Sequence, residues 1–157
     1  MISIIAVIGK KQQIGNKNKL LWKLSKDMAR FKALTINKTV VMGSRTYESI
    51  GHPLPNRHNI ILTKDKNFFV SGCEIIHTSE EILKRYKKSE EEVFVIGGGE
   101  VYKLFLFYAQ KLYLTIVDDN PVADAFFPDY TEFKKVLKKS VGEDNGIKYQ
   151  YLELVRG

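Results

Sequence analysis

Short apolar runs rich in β-branched residues alternate with helical patterns along this chain, and this alternation most constrains its fold. The first run, Ile2–Ile8, is apolar on both faces, as in a central strand covered on two sides. Similar runs recur at 39–43, 59–63, 73–76, 93–96 and 112–117. Because parallel strands need long crossovers between them, this order predicts an α/β domain with a largely parallel sheet.

The connecting segments and the end of the chain complete this prediction. Helices are predicted from Ser25, over 47–50, from Thr78 to Tyr86, and from the glycine run at 97–99 to Tyr108. Segment 10–19 is predicted to be a long loop, and two prolines exclude a helix over 52–57. Residues 133–141 and 148–155 are predicted to be antiparallel strands around a turn at 142–146. At 157 residues, the chain is expected to form one domain, 1–157.

Asp27 is the first candidate functional residue, because it interrupts an apolar stripe. Leu24, Met28, Phe31 and Leu34 recur at three- and four-residue spacing, and Asp27 lies on the same side of the predicted helix. A carboxylate that faces a core is costly unless it is paired. Two interpretations remain open. Backbone N–H groups of the first helical turn donate hydrogen bonds to the Asp27 carboxylate, or the carboxylate lies in a pocket and binds a hydrogen-bonding or cationic ligand.

The charge distribution points to anionic ligands. Residues 1–60 carry 11 Lys and Arg but only two acidic residues, whereas the rest of the chain carries 14 basic and 16 acidic residues. Nucleic acid is one such anion, but the basic residues are scattered and form no recognisable nucleic-acid-binding motif. Phosphorylated or carboxylated small molecules fit at least as well, so we expect no nucleic-acid partner.

Cysteine content and hydropathy indicate the cellular compartment of the protein. A single cysteine, Cys73, excludes an internal disulfide and a multi-cysteine metal site, which fits a reducing compartment. No apolar run approaches the length that crosses a membrane. We therefore expect a cytoplasmic protein with no metal and no membrane association.

Three further segments are candidate anion sites. Gly43 to Thr46 and Gly97 to Tyr102 each join a buried strand to a predicted helix, where free backbone N–H groups can hold phosphate. Arg57 follows a stiff proline-containing loop, from which it can grip a carboxylate with two hydrogen bonds. The lone Trp22 is expected either to pack in the core or to offer its indole N–H to a water or ligand.

Taken together and in order, these motifs identify a family resemblance. The matching residues are Ser3 to Ala6, Ile14 to Asn16, Trp22 with Leu24, Asp27 with Phe31 and Lys32, 41–43, Arg45 with Thr46, Ser49 with Ile50, 53–55 with Arg57, 59–63, 95–102, Leu114 with Thr115, and Phe127 with Pro128. Over essentially its whole length the chain resembles dihydrofolate reductases of the bacterial chromosomal type. The resemblance implies one domain with an eight-stranded, mostly parallel sheet, an antiparallel C-terminal end and flanking helices. It also implies NADPH-dependent reduction of 7,8-dihydrofolate to 5,6,7,8-tetrahydrofolate by a monomer that antifolate inhibitors bind.

The resemblance also implies the site residues, position by position. The residues nearest the chemistry are Asp27, Trp22 and Leu20. The residues implied for the substrate are Ile5, Asp27, Met28, Phe31, Lys32, Ile50, Leu54, Arg57, Ile96 and Thr115, with Val7 also lining the pterin slot. The residues implied for the cofactor are Val7, Ile14, Gly15, Asn18, Lys19, Leu20, Gly43, Ser44, Arg45, Thr46, Thr63, Lys64, His77, Ile96, Gly97, Gly98, Gly99, Glu100, Val101 and Tyr102.

Two positions depart from the family pattern. Leu21 stands where a proline usually precedes the tryptophan, so the preceding loop is expected to be less rigid. Ser44 stands where Arg or Lys is common, which removes one cation from the phosphate region. Two alternatives stay open: the related pyrimidine reductase of riboflavin synthesis, and a basic nucleic-acid-binding domain.

Overall fold

The computed structural model describes residues 1–157, the whole chain. Its elements are β1 (Ile2–Ile8), β2 (Gln13–Gly15), α1 (Ser25–Thr35), β3 (Thr39–Gly43), α2 (Ser44–Ile50), β4 (His58–Leu62), β5 (Glu74–Ile76), α3 (Ser79–Tyr86), β6 (Val93–Gly97), α4 (Gly99–Leu106), β7 (Lys111–Val117), β8 (Ala125–Phe126), β9 (Lys135–Asp144) and β10 (Ile147–Val155). None of the helices is long and apolar enough to cross a membrane.

The main sheet confirms the predicted fold class. It has eight strands in the order β5-β4-β3-β6-β1-β7-β10-β9. Every neighbouring pair from β5 to β7 is parallel, whereas β10 runs antiparallel to both β7 and β9. The sheet is therefore parallel wherever helices connect its strands and antiparallel at the C-terminal hairpin, as the sequence pattern predicts.

The two faces of the sheet are packed very differently. On one face, α3 and α4 cover a cluster of 21 buried residues, which includes Ile2, Ile4 and Ile8 of β1. The opposite face holds two smaller clusters, one of six buried residues that includes Ile5 and one of three. Side chains of α1 and α2 pack against the cluster of six while remaining partly exposed. Successive side chains of β1 point to opposite faces of the sheet, and both faces are covered, which explains why the whole strand is apolar. We call this sparsely covered side of the sheet, beside α1 and α2, the cleft.

Several predicted boundaries are wrong by a few residues. The helix predicted over 47–50 begins at Ser44, and the helix predicted to reach Tyr108 ends at Leu106. Segment 10–19 is not all loop, because β2 forms within it and pairs with β8. Such short pairings lack a sequence signal, since each strand depends on a distant partner for its hydrogen bonds.

The C-terminal hairpin differs from its predicted form. The predicted turn at 142–146 is wrong, because β9 continues to Asp144 and only Asn145 and Gly146 connect the two strands. Both connecting residues have positive φ, 53° and 81°, which is the conformation of the two-residue turns that suit the twist of a hairpin. Strand β9 forms one edge of the sheet and is exposed along most of its length.

Candidate active site

Asp27 and Thr115 meet on the cleft side of the sheet. Asp27 comes from the first turn of α1, and Thr115 is a buried residue of β7, the neighbour of β1 in the sheet. The Thr115 hydroxyl donates a hydrogen bond of 2.5 Å to Asp27 Oδ1. Burial raises the pKa of the Asp27 carboxyl above its ordinary value, and the Thr115 hydrogen bond and the Arg30 charge offset that rise only in part.

The backbone of the first turn of α1 does not satisfy Asp27. Leu24 occupies the N-cap position and has no side-chain oxygen to accept a hydrogen bond. The carboxylate of Asp144, at the end of β9, accepts instead from Ser25 N at 2.6 Å and from Lys26 N at 3.4 Å. The first interpretation of Asp27 is therefore wrong, and the carboxylate remains available to a ligand on the side away from Thr115.

Most of the predicted apolar walls come together beside Asp27. Ile5 is buried on the open face of the sheet, and the predicted wall residues that belong to the same packed cluster are Phe31, Ile50, Leu54 and Ile96. Val7 packs instead with the group around Trp22 and Leu24. Met28 departs from the predicted buried stripe, because 57% of its surface is exposed.

Arg57 lies at the far end of α1 from Asp27 and is held in place. Its Nε donates to Pro55 O at 2.9 Å, and its Nη1 donates to Thr35 Oγ1 at 3.1 Å. Thr35 is the last residue of α1, and its hydroxyl in turn donates to Phe31 O. The guanidinium is therefore fixed against α1 with donors still free, while Lys32 lies exposed on the same helix.

The two glycine turns lie side by side at the ends of neighbouring parallel strands. α2 follows β3 with Gly43 at its N-cap, α4 follows β6 with Gly98 at its N-cap, and neither cap has a side-chain hydrogen bond. A Cβ on Gly43 would lie 3.1 Å from Val101 Cγ2, so the two turns are in close contact. Adjacent N–H groups at both turns are thus left without side-chain partners.

Gly97 takes a conformation that other residues rarely adopt. Its φ is 134°, and the peptide bond to Gly98 is cis. A Cβ at Gly97 would lie 3.4 Å from both Thr46 Oγ1 and the Tyr102 hydroxyl. Glycine is therefore required at this position by the backbone angle, with little space beside it.

The predicted cofactor residues at the start of the two helices have unequal access to the cleft. Arg45 and Glu100 are exposed, and Ser44, Thr46 and Gly99 are partly exposed. Val101 and Tyr102 are buried, and the Tyr102 hydroxyl lies 2.9 Å from the carbonyl oxygens of both Ile5 and Ile96. Tyr102 therefore links the middle of β1 to the end of β6, and its hydroxyl already has partners within the protein.

Thr63, Lys64 and His77 come together at the ends of β4 and β5. Leu62 pairs with Ile76 in the parallel ladder, which places the residues after each strand next to one another. His77 Nδ1 lies 2.8 Å from Thr63 O, so this nitrogen carries the proton and donates to the carbonyl. Lys64 is exposed beside this pair.

The long loop is anchored at its ends and exposed in its middle. Ile14 and Gly15 belong to β2, whereas Asn18, Lys19 and Leu20 are exposed, Leu20 to 79%. The structure does not bring these three residues against Asp27. Lys17 N donates to Asp124 Oδ2 at 3.0 Å, and this contact ties the loop to the segment before β8.

Trp22 follows the loop and has a partner that its sequence context does not suggest. It packs against the cluster of Leu24, Val117 and Tyr149, as expected for a core tryptophan. Its indole Nε1 donates to Asp119 Oδ2 at 2.9 Å, so the N–H is already used by the protein.

Sequence reasoning missed three aspartates that organise the site: Asp119, Asp124 and Asp144. The partners of these residues are about a hundred positions away, so no local spacing could have indicated the contacts. Within the structure, no group of three His, Cys, Asp or Glu side chains is arranged to hold a metal ion.

Comparison with known proteins agrees with this geometry. A family model described as dihydrofolate reductase matches residues 1–156. The dihydrofolate reductase of Staphylococcus haemolyticus is 38% identical over 152 residues, which cover 96% of this chain and 91% of the relative. The dihydrofolate reductase of Staphylococcus aureus strain Mu50 is 35% identical over 159 aligned positions, with 99% and 98% covered.

A solved structure extends the similarity to three dimensions. The dihydrofolate reductase of Enterococcus faecalis, in complex with NADP(H) and RAB-propyl, superposes with a TM-score of 0.93 at 31% identity. The match covers 100% of this chain and 96% of that chain. The family model, the relatives and the sheet topology agree over the full length, and the chain belongs to the dihydrofolate reductase family.

Proposed function

We propose that this cleft carries out NADPH-dependent reduction of 7,8-dihydrofolate to 5,6,7,8-tetrahydrofolate, with Asp27 as the anchor of the pterin ring. The observation that carries this proposal is the half-buried Asp27 carboxylate, paired with the Thr115 hydroxyl beside an apolar wall. Family membership favours this reaction over the pyrimidine reductase of riboflavin synthesis and over nucleic-acid binding. The pairing also favours a ring that offers an N–H and an amino group, because a carboxylate only accepts hydrogen bonds.

The residues beside the glycine turns fit a dinucleotide with a phosphorylated ribose. The uncapped turns at Gly43 and Gly98 offer backbone N–H groups to a pyrophosphate, with Arg45 supplying positive charge. Lys64, with Thr63 and His77, fits the 2′-phosphate that distinguishes NADPH from NADH. When bound, NADPH supplies the hydride. A measured preference for NADH would contradict the assignment of Lys64, the more so because Ser44 supplies no charge.

Asp27 has two tasks in this proposal. Its carboxylate accepts hydrogen bonds from the 2-amino group and the N3 side of the pterin, which fixes the ring against Ile5 and Phe31. Its negative charge, in a site partly shielded from water, raises the basicity of the bound ring and so favours protonation at N5. No protein side chain is assigned to N5, and water that enters beside Leu20 delivers that proton.

Arg57 recognises the other end of the substrate. Its guanidinium is fixed by Thr35 and Pro55, so the remaining N–H groups are oriented before a ligand arrives. A carboxylate of the glutamate tail pairs with it through two parallel hydrogen bonds, and Lys32 adds charge nearby. The distance between Asp27 and Arg57 along α1 thus sets the length of the substrate that the cleft accepts.

We also propose that residues 1–157 act as one catalytic domain and that the protein works as a cytoplasmic monomer. A single sheet that spans the chain supports one domain. The resemblance to dihydrofolate reductases of the bacterial chromosomal type supports a monomer. Light scattering of the purified protein, with and without NADPH, tests the oligomeric state.

Replacement of Asp27 tests the central assignment. In Asp27→Asn the amide oxygen still accepts from Thr115, but the charge is lost, and turnover at neutral pH is expected to fall about 100-fold or more. The measurement is the loss of NADPH absorbance on addition of dihydrofolate, with and without a methotrexate-like inhibitor. Turnover of Asp27→Asn at the wild-type rate at neutral pH would refute the role of this carboxylate.

A further inference from the structure

The segment that joins the long loop to α1 has little anchoring of its own. Leu21 lacks the fixed φ that a proline would give, and Leu24 supplies no side-chain cap for the helix. The segment must therefore be held by contacts from elsewhere in the fold. One is the Trp22 ring, which lies against the end of β1, where a Cβ on Gly9 would come within 3.1 Å of a ring carbon.

Asp119 supplies a second, directional contact to this segment. It follows β7, the strand that carries Thr115, and its backbone oxygen accepts from Lys10 N at 3.0 Å. The two carboxylate oxygens have separate partners: Oδ1 accepts from Asn120 N at 2.8 Å, and Oδ2 accepts from Trp22 Nε1 at 2.9 Å. The carboxylate is therefore oriented by its own backbone and presented to the indole.

The electrostatics of Asp119 agree with this geometry. The Trp22 indole N–H holds the pKa of the Asp119 carboxyl below its ordinary value, and the Asn120 backbone N–H and the Lys10 charge act in the same direction. Asp119 thus stays ionised at neutral pH, where its hydrogen bond to Trp22 is charge-assisted.

We propose that Asp119 is a positioning residue for the reductase reaction: it holds the Trp22 indole and, through it, the segment 20–24 against the sheet beside the cleft. Because Trp22 Nε1–H is committed to Asp119, the indole contributes to the site by packing and not by donating to a water or ligand. The inference rests on the proposed function, since it concerns the segment that leads from the long loop into the helix of Asp27.

Loss of the Asp119 contact is expected to affect substrate binding and hydride transfer differently. It removes one of the contacts that hold the segment 20–24 and lowers the fraction of time that the segment lies in its working position. The Asp27–Thr115 pair is untouched, so dihydrofolate binding is expected to change little. The rate of hydride transfer is expected to fall.

Asp119→Ala is the test, and Asp118→Ala is its matched control. Asp118 is the adjacent acidic residue, pairs with Lys10 at 2.8 Å and has no contact with Trp22. The chain has one tryptophan, so its fluorescence reports on Trp22 alone. In Asp119→Ala the emission is expected to shift to longer wavelength and acrylamide quenching to increase, whereas Asp118→Ala leaves both unchanged.

Single-turnover kinetics measure the catalytic effect. We expect hydride transfer in Asp119→Ala to slow about fivefold, with the KM for dihydrofolate within about twofold of wild type. Asp119→Asn keeps an oxygen that can accept from the indole, and it should restore both the emission and the rate.

Trp22→Phe removes the indole N–H and shows whether Asp119 acts through it. In that background, Asp119→Ala should cause no further loss of rate. An equal loss in the two backgrounds, or equal effects of Asp118→Ala and Asp119→Ala, would overturn the inference. Failure of the proposed function is a distinct result, because it would appear as no loss of NADPH absorbance when the wild-type protein is given dihydrofolate.

Discussion

Thr115→Val probes the hydrogen bond at the centre of the cleft with almost no change in shape. Thr115 is 1% exposed in β7, and valine replaces its hydroxyl with a methyl group of similar size. The substitution leaves the Asp27 carboxylate half-buried and removes its 2.5 Å donor. Any change in stability or binding therefore reports on that one hydrogen bond.

The expected loss follows from the charge on the acceptor. Hydrogen bonds to charged groups contribute about 1.5–3 kcal/mol, and the lower end applies because water also reaches Asp27. We expect the free energy of unfolding at neutral pH to fall by about 1.5 kcal/mol, which corresponds to a decrease in Tm of about 3–6 °C in a chain of this size. If the same energy is lost in orienting the pterin, the KM for dihydrofolate rises about tenfold.

The pH dependence has a definite sign. Thr115 lowers the pKa of Asp27 relative to the variant, so its contribution is present above that pKa and disappears as the pH falls through it. Burial acts in the opposite direction: because the pKa of Asp27 is raised overall, ionising this carboxyl costs the fold stability as the pH rises. The difference between wild type and Thr115→Val should therefore shrink in acid.

Urea unfolding at neutral and acidic pH, together with steady-state kinetics, measures these effects. Thr39→Val is the matched control, because Thr39 is 2% exposed and donates to Glu91 Oε1 at 2.9 Å, away from the cleft. It should lower stability and leave the KM for dihydrofolate unchanged. A KM of Thr115→Val within twofold of wild type, with an unfolding difference independent of pH, would refute this account of Asp27 and Thr115.

Three further substitutions test other parts of the site. Arg57→Lys loses the paired donors and the contact with Thr35, so the KM for dihydrofolate should rise about tenfold or more with little change in kcat. An unchanged KM would contradict the assignment of Arg57 to a substrate carboxylate. Gly97→Ala places a side chain at a φ of 134° and should lower the free energy of unfolding, measured in urea, by about 1–3 kcal/mol. It should also weaken NADPH binding, measured by fluorescence titration. Full NADPH affinity would count against this turn as a cofactor site. Asp144→Ala removes the acceptor for Ser25 N and should lower the free energy of unfolding by about 1 kcal/mol, whereas Glu143→Ala, which changes the same charge but keeps its backbone contact to Lys26, should have a smaller effect.

The fold was predictable because its strands are apolar on both faces and separated by helical segments. Ile2–Ile8 and Thr39–Gly43 match their predicted bounds because burial on both sides leaves a strong local signal. The edge strand β9 was predicted less well, whereas the other edge strand, β5, differs by one residue from its predicted bounds. β9 is exposed along most of its length, so its end at Asp144 is set by pairing with β10 and not by its own hydropathy.

The site was predictable where a residue breaks a pattern. Asp27 interrupts an apolar stripe, and the glycine run at 97–99 interrupts the start of a helix. The contacts around Asp27 were not predictable, because Asp119 acts on the segment before α1, and Asp144 acts on the first turn of α1, across about a hundred residues. Their roles depend on tertiary structure, which leaves no periodic trace in the sequence.

The unequal packing of the two sheet faces has a consequence for hydrogen exchange. The 21-residue cluster under α3 and α4 is expected to open only when the whole molecule unfolds, whereas α1 and α2 rest on the smaller cluster of six and can detach at lower free energy. The cleft lies on this less stable side, so the binding free energy of a ligand stabilises the part of the molecule with the lowest local stability. Amide protons of α1 should therefore exchange faster than those of α4 in the free protein, and ligand should slow the exchange of both.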